Sequence, residues 1–109
     1  MTPDDVRRLA LALPETVEGM HMNHPDFRVG GKVFATLWPD EKRAVVRLEP
    51  DHQRMLVESE PAVFAAVPGG WGLKGWTNVM LAESDEAGLR SALAAAWRNV
   101  APRRLHARL

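Results

Sequence analysis

Val6, Leu9, Ala10 and Leu13 recur at the spacing of one helical face, behind Thr2-Pro3-Asp4-Asp5. Threonine can cap a helix, proline suits its first position, and aspartates favour the positive end of its dipole. A helix therefore starts here, and Pro14 ends it, because the residue before a proline leaves the α region. Glu15 to Met22 has no clean period and reads as a loop or a ragged first strand. Phe27-Arg28-Val29 and Lys32 to Trp38 flank Gly30-Gly31, the pattern of a β-hairpin with a two-residue turn. In its second arm Val33, Ala35 and Leu37 fall on one side. Lys32, Phe34, Thr36 and Trp38 fall on the other, so neither side is purely polar. Pro39 to Lys42 turns the chain again. Ala44 to Leu48 is a third strand, with Val46 and Leu48 on one face and Arg47 opposite.

Pro50-Asp51 starts a second helix, with Met55, Leu56 and, a turn earlier, His52 on its inner side. Ser59-Glu60-Pro61 stops it. Ala62 to Val67 is apolar and short, and period alone does not separate helix from strand there. Trp76 to Leu81 is a strand. Ser84-Asp85 caps a last helix whose Leu89, Leu93, Ala96, Trp97 and Val100 share a face, with Trp97 as the anchor on the sheet. Pro102 closes it. Short connections between the first three strands demand an antiparallel meander. Helices must then cover one face of that sheet, which predicts an α+β domain built as a two-layer sandwich.

The centre of the chain is Pro68-Gly69-Gly70-Trp71-Gly72-Leu73-Lys74-Gly75-Trp76. Glycines reach positive φ and allow close approach, and tryptophans bring large apolar area with one N–H that needs a partner. The stretch reads as a shaped turn that leads into a strand and pins two rings. Lys74 between Trp71 and Trp76 is also the most suggestive chemical grouping, because rings beside a cation can stack bases and pair a phosphate. Arg28, Lys32 and the tail arginines Arg98, Arg103 and Arg104 extend it to a conceivable basic and aromatic surface. The competing reading makes both rings structural and Lys74 merely solvated.

Composition narrows the rest. A chain of 109 residues is one domain, 1–109, by size. It has no cysteine, which excludes disulfides and thiolate metal sites and suits a reducing, cytoplasmic setting. No run of about 18 apolar residues is present, so no membrane span is expected. The start shows no basic-then-apolar leader. The formal net charge of zero argues against a domain that coats nucleic acid by bulk charge. His21 and His24 have the spacing H-x-x-H, but Asn23 and Pro25 oppose a helix and no third ligand lies close. His24 reads instead as a hairpin-entry residue or as a polar group lining a pocket. Ser59, Ser84 and Ser91 lie in no nucleophile elbow, and Ser84 reads as a helix cap. Gly69-Gly70 before Trp71 matches no phosphate-binding loop. No catalytic residue set or cofactor is indicated.

Several features recur together: Leu13-Pro14, His24-Pro25-Asp26-Phe27-Arg28-Val29, Gly31-Lys32-Val33-Phe34-Ala35-Thr36, Gly70-Trp71-Gly72, Gly75-Trp76, Ala96-Trp97-Arg98 and Ala101-Pro102. In this order they make the chain resemble the MmcQ/YjbR-like family of small bacterial domains. The resemblance implies an α-β3-α-β2-α arrangement and a short strand near Val63–Ala66. It also implies DNA binding, by fold analogy, and carries no catalytic residue set. Two functions follow as expectations. One is a nucleic-acid-binding module using the C-terminal basic patch and the Trp71-Lys74-Trp76 loop. The other is a non-enzymatic small-molecule or protein-binding domain, dimeric through a free sheet face bearing Phe34 and Trp38. An enzyme with a site around His24, Lys32 and Trp71 is a third.

Overall fold

The computed structural model describes residues 1–109 and builds one sheet of six antiparallel strands with helices against it. Helix α1 (Pro3–Leu11) opens with a capping box. The Asp5 N–H donates to the Thr2 hydroxyl at 3.2 Å, and the Thr2 N–H donates to the Asp5 carboxylate at 2.7 Å. The aperiodic stretch that follows is a full strand, β1 (Val17–His21). It pairs only with β2 (His24–Val29), at the edge of the sheet. Its residues are mostly exposed on both faces, so burial imposed no alternation on them. Strands β3 (Lys32–Trp38) and β4 (Arg43–Arg47) continue the meander. Four strands rather than three thus precede α2 (Pro50–Ser59). The apolar run after α2 is strand β5 (Phe64–Ala66). The single helical turn α3 (Gly70–Leu73) leads into β6 (Trp76–Met80), and α4 (Glu86–Val100) closes the fold. The strand order is β1-β2-β3-β4-β6-β5.

A bulge reassigns one side chain. Phe27 faces Ala35 and Arg28 faces Val33, so Phe34 has no partner on β2. Phe34 and Ala35 in succession enter the core, both fully buried. Strict alternation had put Phe34 beside Trp38 on the free face, and the bulge corrects that. Helix α2 corrects another expectation. Its inward residues are Gln53, Leu56 and Val57, at helical spacing, while Met55 is 53% exposed. Met55 follows Gln53 by two positions, or about 200° around the helix. Gln53 sets the orientation: its amide donates to the Trp76 carbonyl and to the Thr77 hydroxyl, each at 3.0 Å. The cap of α4 is Asp85, which accepts the Gly88 N–H at 2.7 Å, whereas Ser84 donates its hydroxyl to the Met80 carbonyl.

The core lies between the sheet and the pair α1 and α4, in a cluster of 22 buried residues. Trp97 is fully buried there, and its indole N–H donates to the Pro14 carbonyl at 2.9 Å. One bond ties the last helix to the turn after the first. Across the sheet, Gly75 lies against the end of β4. Its φ is +101°, and a Cβ there would come within 1.8 Å of the Leu48 carbonyl oxygen. The Leu48 N–H donates to the Gly75 carbonyl at 2.9 Å.

Arg8 links α1 to α4 on the surface, bonding Glu86 at 2.7 Å and Asp5 at 3.2 Å. Hydrogen bonds from the Thr2 backbone and hydroxyl, then from Arg8, hold the Asp5 carboxyl below its ordinary range. Bonds from Arg8 and then Arg90 do the same for Glu86. A carboxyl whose folded pKa is depressed contributes stability above its unfolded pKa and loses it as pH falls through the folded value.

Three outcomes are expected. Gly75→Ala destabilises by about 3 kcal/mol or more, through clash and strain together. Gly31→Ala, at φ +78° with nothing within 4 Å, costs only about 1 kcal/mol. Thermal unfolding of the two variants side by side checks the difference. Trp97→Phe loses ring volume and the bond to Pro14, about 2–4 kcal/mol in a urea titration. Stability falls as pH drops from about 5 to 3, and Arg8→Ala narrows the gap between the urea midpoints at neutral and acid pH.

Candidate functional site on the open sheet face

Cross-strand register sorts the side chains. Ala35, Leu37, Ala44, Val46 and Val79 face the helices. Their neighbours in sequence face away: Thr36 opposite Val45, Trp38 opposite Arg43, Arg47 opposite Trp76. This open face carries aromatic rings with cations over them. The Arg43 guanidinium lies 4.4 Å from the Trp38 ring centre and the Arg47 guanidinium 5.7 Å from that of Trp76. The Lys74 ammonium lies 5.6 Å from the ring of Trp71. Trp71 and Trp76 meet edge to face at 6.2 Å. Lys74, Trp71, Trp76 and Arg47 therefore form one continuous cluster.

Ion pairing then separates the cations. Eight arginines have a carboxylate within reach. Lys32, Lys42, Arg47, Lys74, Arg98 and Arg103 have none. Three of these six line one cleft of about 250 Å³: Lys32, Arg47 and Lys74, with Glu49 and Asn99 beside them. Topology brings them together. The start of β3, the end of β4 and the start of β6 lie at the same end of an antiparallel sheet. Asn99 of α4 closes the cleft and donates to the Arg47 carbonyl at 3.0 Å.

The residues singled out in the sequence divide into groups. Lys32, Trp71, Lys74 and Trp76 lie at this end of the sheet. Trp71 is 62% exposed, so the turn does not pin it, whereas Trp76 is half-buried. His24 lies at the other end, stacked on Trp38 at 3.5 Å and paired across the β1–β2 turn with His21. The structure does not bring His24, Lys32 and Trp71 together. Arg28 grips Asp26 with two bonds of 3.0 Å. Asp26 is buried on the open face because Gly19, its cross-strand partner, leaves room; a Cβ there would lie 2.8 Å from its carboxylate. Of the tail, Arg98 and Arg103 are exposed and unpaired, while Arg104 and Arg108 share Glu15 at 3.7 and 2.7 Å. Sequence reasoning missed Arg47, Arg43 and Asn99 as site residues. Arg47 was legible only as the outward residue of its strand, and nothing local announced that Trp76 would lie across from it.

No helix is long and apolar enough to cross a membrane. No curated protein matches the chain. Among solved structures, the chain is similar to a Deinococcus radiodurans protein, DR2400, described as a DUF419 domain. The two are 19% identical, over 98% of this chain and 86% of that one, with a TM-score of 0.80. At that identity the likeness shows a shared fold. A model of the YjbR family matches residues 11–99, which run from the end of α1 to Asn99 in the cleft. The chain belongs to the YjbR family.

Proposed function

We propose that this domain binds nucleic acid, DNA above all, through the end of the open sheet face that carries Trp71, Trp76, Arg47, Lys74 and Lys32. One observation carries the reading: Lys74 lies over the exposed Trp71 and Arg47 over the adjoining Trp76, and neither cation has an acidic partner. An exposed ring on a short glycine-flanked turn is a stacking surface for a base, and the free cations beside it meet the phosphates. A chain with no net charge has little field to steer a long duplex from a distance. Contact is thus short and local, and favours an unpaired strand whose bases can reach Trp71. Arg98 and Arg103 extend the basic surface at the tail. Arg104 contributes less there, since Glu15 already opposes it.

A second reading has its own observation. A cavity of about 420 Å³ lies beside the stacked rings of His24 and Trp38, with Asp40 and Glu41 on its wall. Arg43 already lies over Trp38 and pairs with Glu41, so Asp40 is the carboxylate left to meet a small cationic ligand beside the rings.

The test is fluorescence anisotropy with labelled single-stranded and duplex DNA at low and physiological salt. Affinity for the single strand is expected to be the higher, and to fall with salt by a logarithmic slope of about −0.7 for each phosphate contacted. Lys74→Gln and Arg47→Gln weaken binding and flatten that slope. Trp71→Ala costs about 1–3 kcal/mol of binding with the slope retained. Arg103→Gln with Arg104→Gln has a smaller effect than Lys74→Gln. Absence of binding at low salt, where the electrostatic contribution is largest, refutes the reading and directs attention to the His24–Trp38 cavity.

A further inference from the structure

We propose that the cleft formed by Lys32, Arg47 and Lys74 receives a terminal phosphate monoester, so that the domain prefers nucleic-acid strands with a phosphorylated end. This rests on the nucleic-acid reading above and specifies which part of the strand occupies the cleft.

The argument begins with charge. Three cations line the cleft and Glu49 is the only acid among its lining residues, which leaves an excess of two positive charges. An internal phosphodiester carries one negative charge. A terminal monoester carries close to two at neutral pH, on three strong acceptor oxygens. The monoester is the better match for the cleft. Donor chemistry agrees. Arg47 offers a planar fork and the two lysines offer ammonium groups, a set suited to a compact, highly charged oxyanion. None of the three is engaged by a carboxylate, so none must first give up a partner.

Shape gives the second argument. The cleft is small, about 250 Å³, and Leu48, Glu49, Pro50, Asn99 and Val100 line it beside the three cations. An internal phosphate seated there needs an exit for the chain on both sides, whereas a terminal phosphate needs only one. An exit toward the open face leads to the two tryptophans. Arg47 and Lys74 belong both to the cleft and to the Trp71–Trp76 cluster. A strand held by its end would therefore place its first bases at those rings. Lys32 lines the cleft but is absent from the aromatic cluster, so it serves the end phosphate alone.

The test compares one short oligothymidylate in three forms: 5′-phosphorylated, 3′-phosphorylated, and with hydroxyls at both ends. Each competes against the same labelled strand in anisotropy at neutral pH and moderate salt. One phosphorylated form is expected to bind about tenfold or more tightly than the hydroxyl form. Which form it is assigns the polarity of the strand. Lys32→Gln removes that preference, bringing the ratio of phosphorylated to hydroxyl affinity to about one. Lys32 is exposed, and an unchanged thermal midpoint shows that the variant folds. Equal binding of all three forms overturns the end-phosphate assignment while the nucleic-acid reading stands. A preference that survives Lys32→Gln overturns the cleft as its location. Failure of every form to bind overturns both.

Discussion

The backbone of residue 75 passes so close to the carbonyl of Leu48 that no side chain fits between them. That contact joins the end of β4 to the start of β6 and completes their ladder with the Leu48–Gly75 bond. Several features follow from it. Thr77, two residues on, donates to the Gly75 carbonyl and accepts from Gln53, which settles how α2 lies on the sheet. Trp76 falls opposite Arg47 and so comes under a guanidinium. Lys74 is delivered to the mouth of the cleft that Arg47 and Lys32 line. Gly72 makes a second contact of the same kind, where a Cβ would lie 1.9 Å from the Val67 carbonyl oxygen. These two contacts hold the turn tightly, while Trp71, just before Gly72, stays exposed.

Charge shows how a neutral chain can still present a basic site. Eight of its eleven arginines are held in ion pairs, in the helices, the strands and the tail, and the exposed ones among these pairs contribute little to stability individually. Their effect on the surface is larger, because they remove charge from most of it. What remains free concentrates near one end of the sheet and the adjoining tail. The open face is polarised in the same way along its length. His24, Trp38 and Arg43 lie at one end, with Arg43 tied to Glu41 and Asn78; Arg47 and Trp76 lie at the other, where no carboxylate pairs with Arg47.

Local chemistry made much of the fold legible. The capped first helix, the Gly30-Gly31 hairpin, the proline stops and the Trp97 face each rest on neighbours within a few residues. What the sequence misplaced or left open has one cause. The face of Phe34 depends on a bulge, the inward side of α2 on Gln53 reaching Thr77, and β1 on pairing with β2 alone. Each is a relation to a partner strand, and hydrophobic periodicity does not encode it. The same limit applied to the candidate site. Trp71, Lys74 and Trp76 stood out because they are adjacent, whereas Arg47 did not, since its partner is 29 positions away in the chain.

By itself, the sequence determined the α+β class, most element boundaries, the need for glycine in the central turn, and the family to which the chain belongs. Caps, turns, proline stops and apolar periods are short-range physics, and they act before the chain has closed on itself. Only the tertiary structure decided which cations stay free, which tryptophan stays exposed, and which distant residues share a cleft. Those properties depend on cross-strand register and on which carboxylate each arginine reaches, and both arise only once the sheet has assembled.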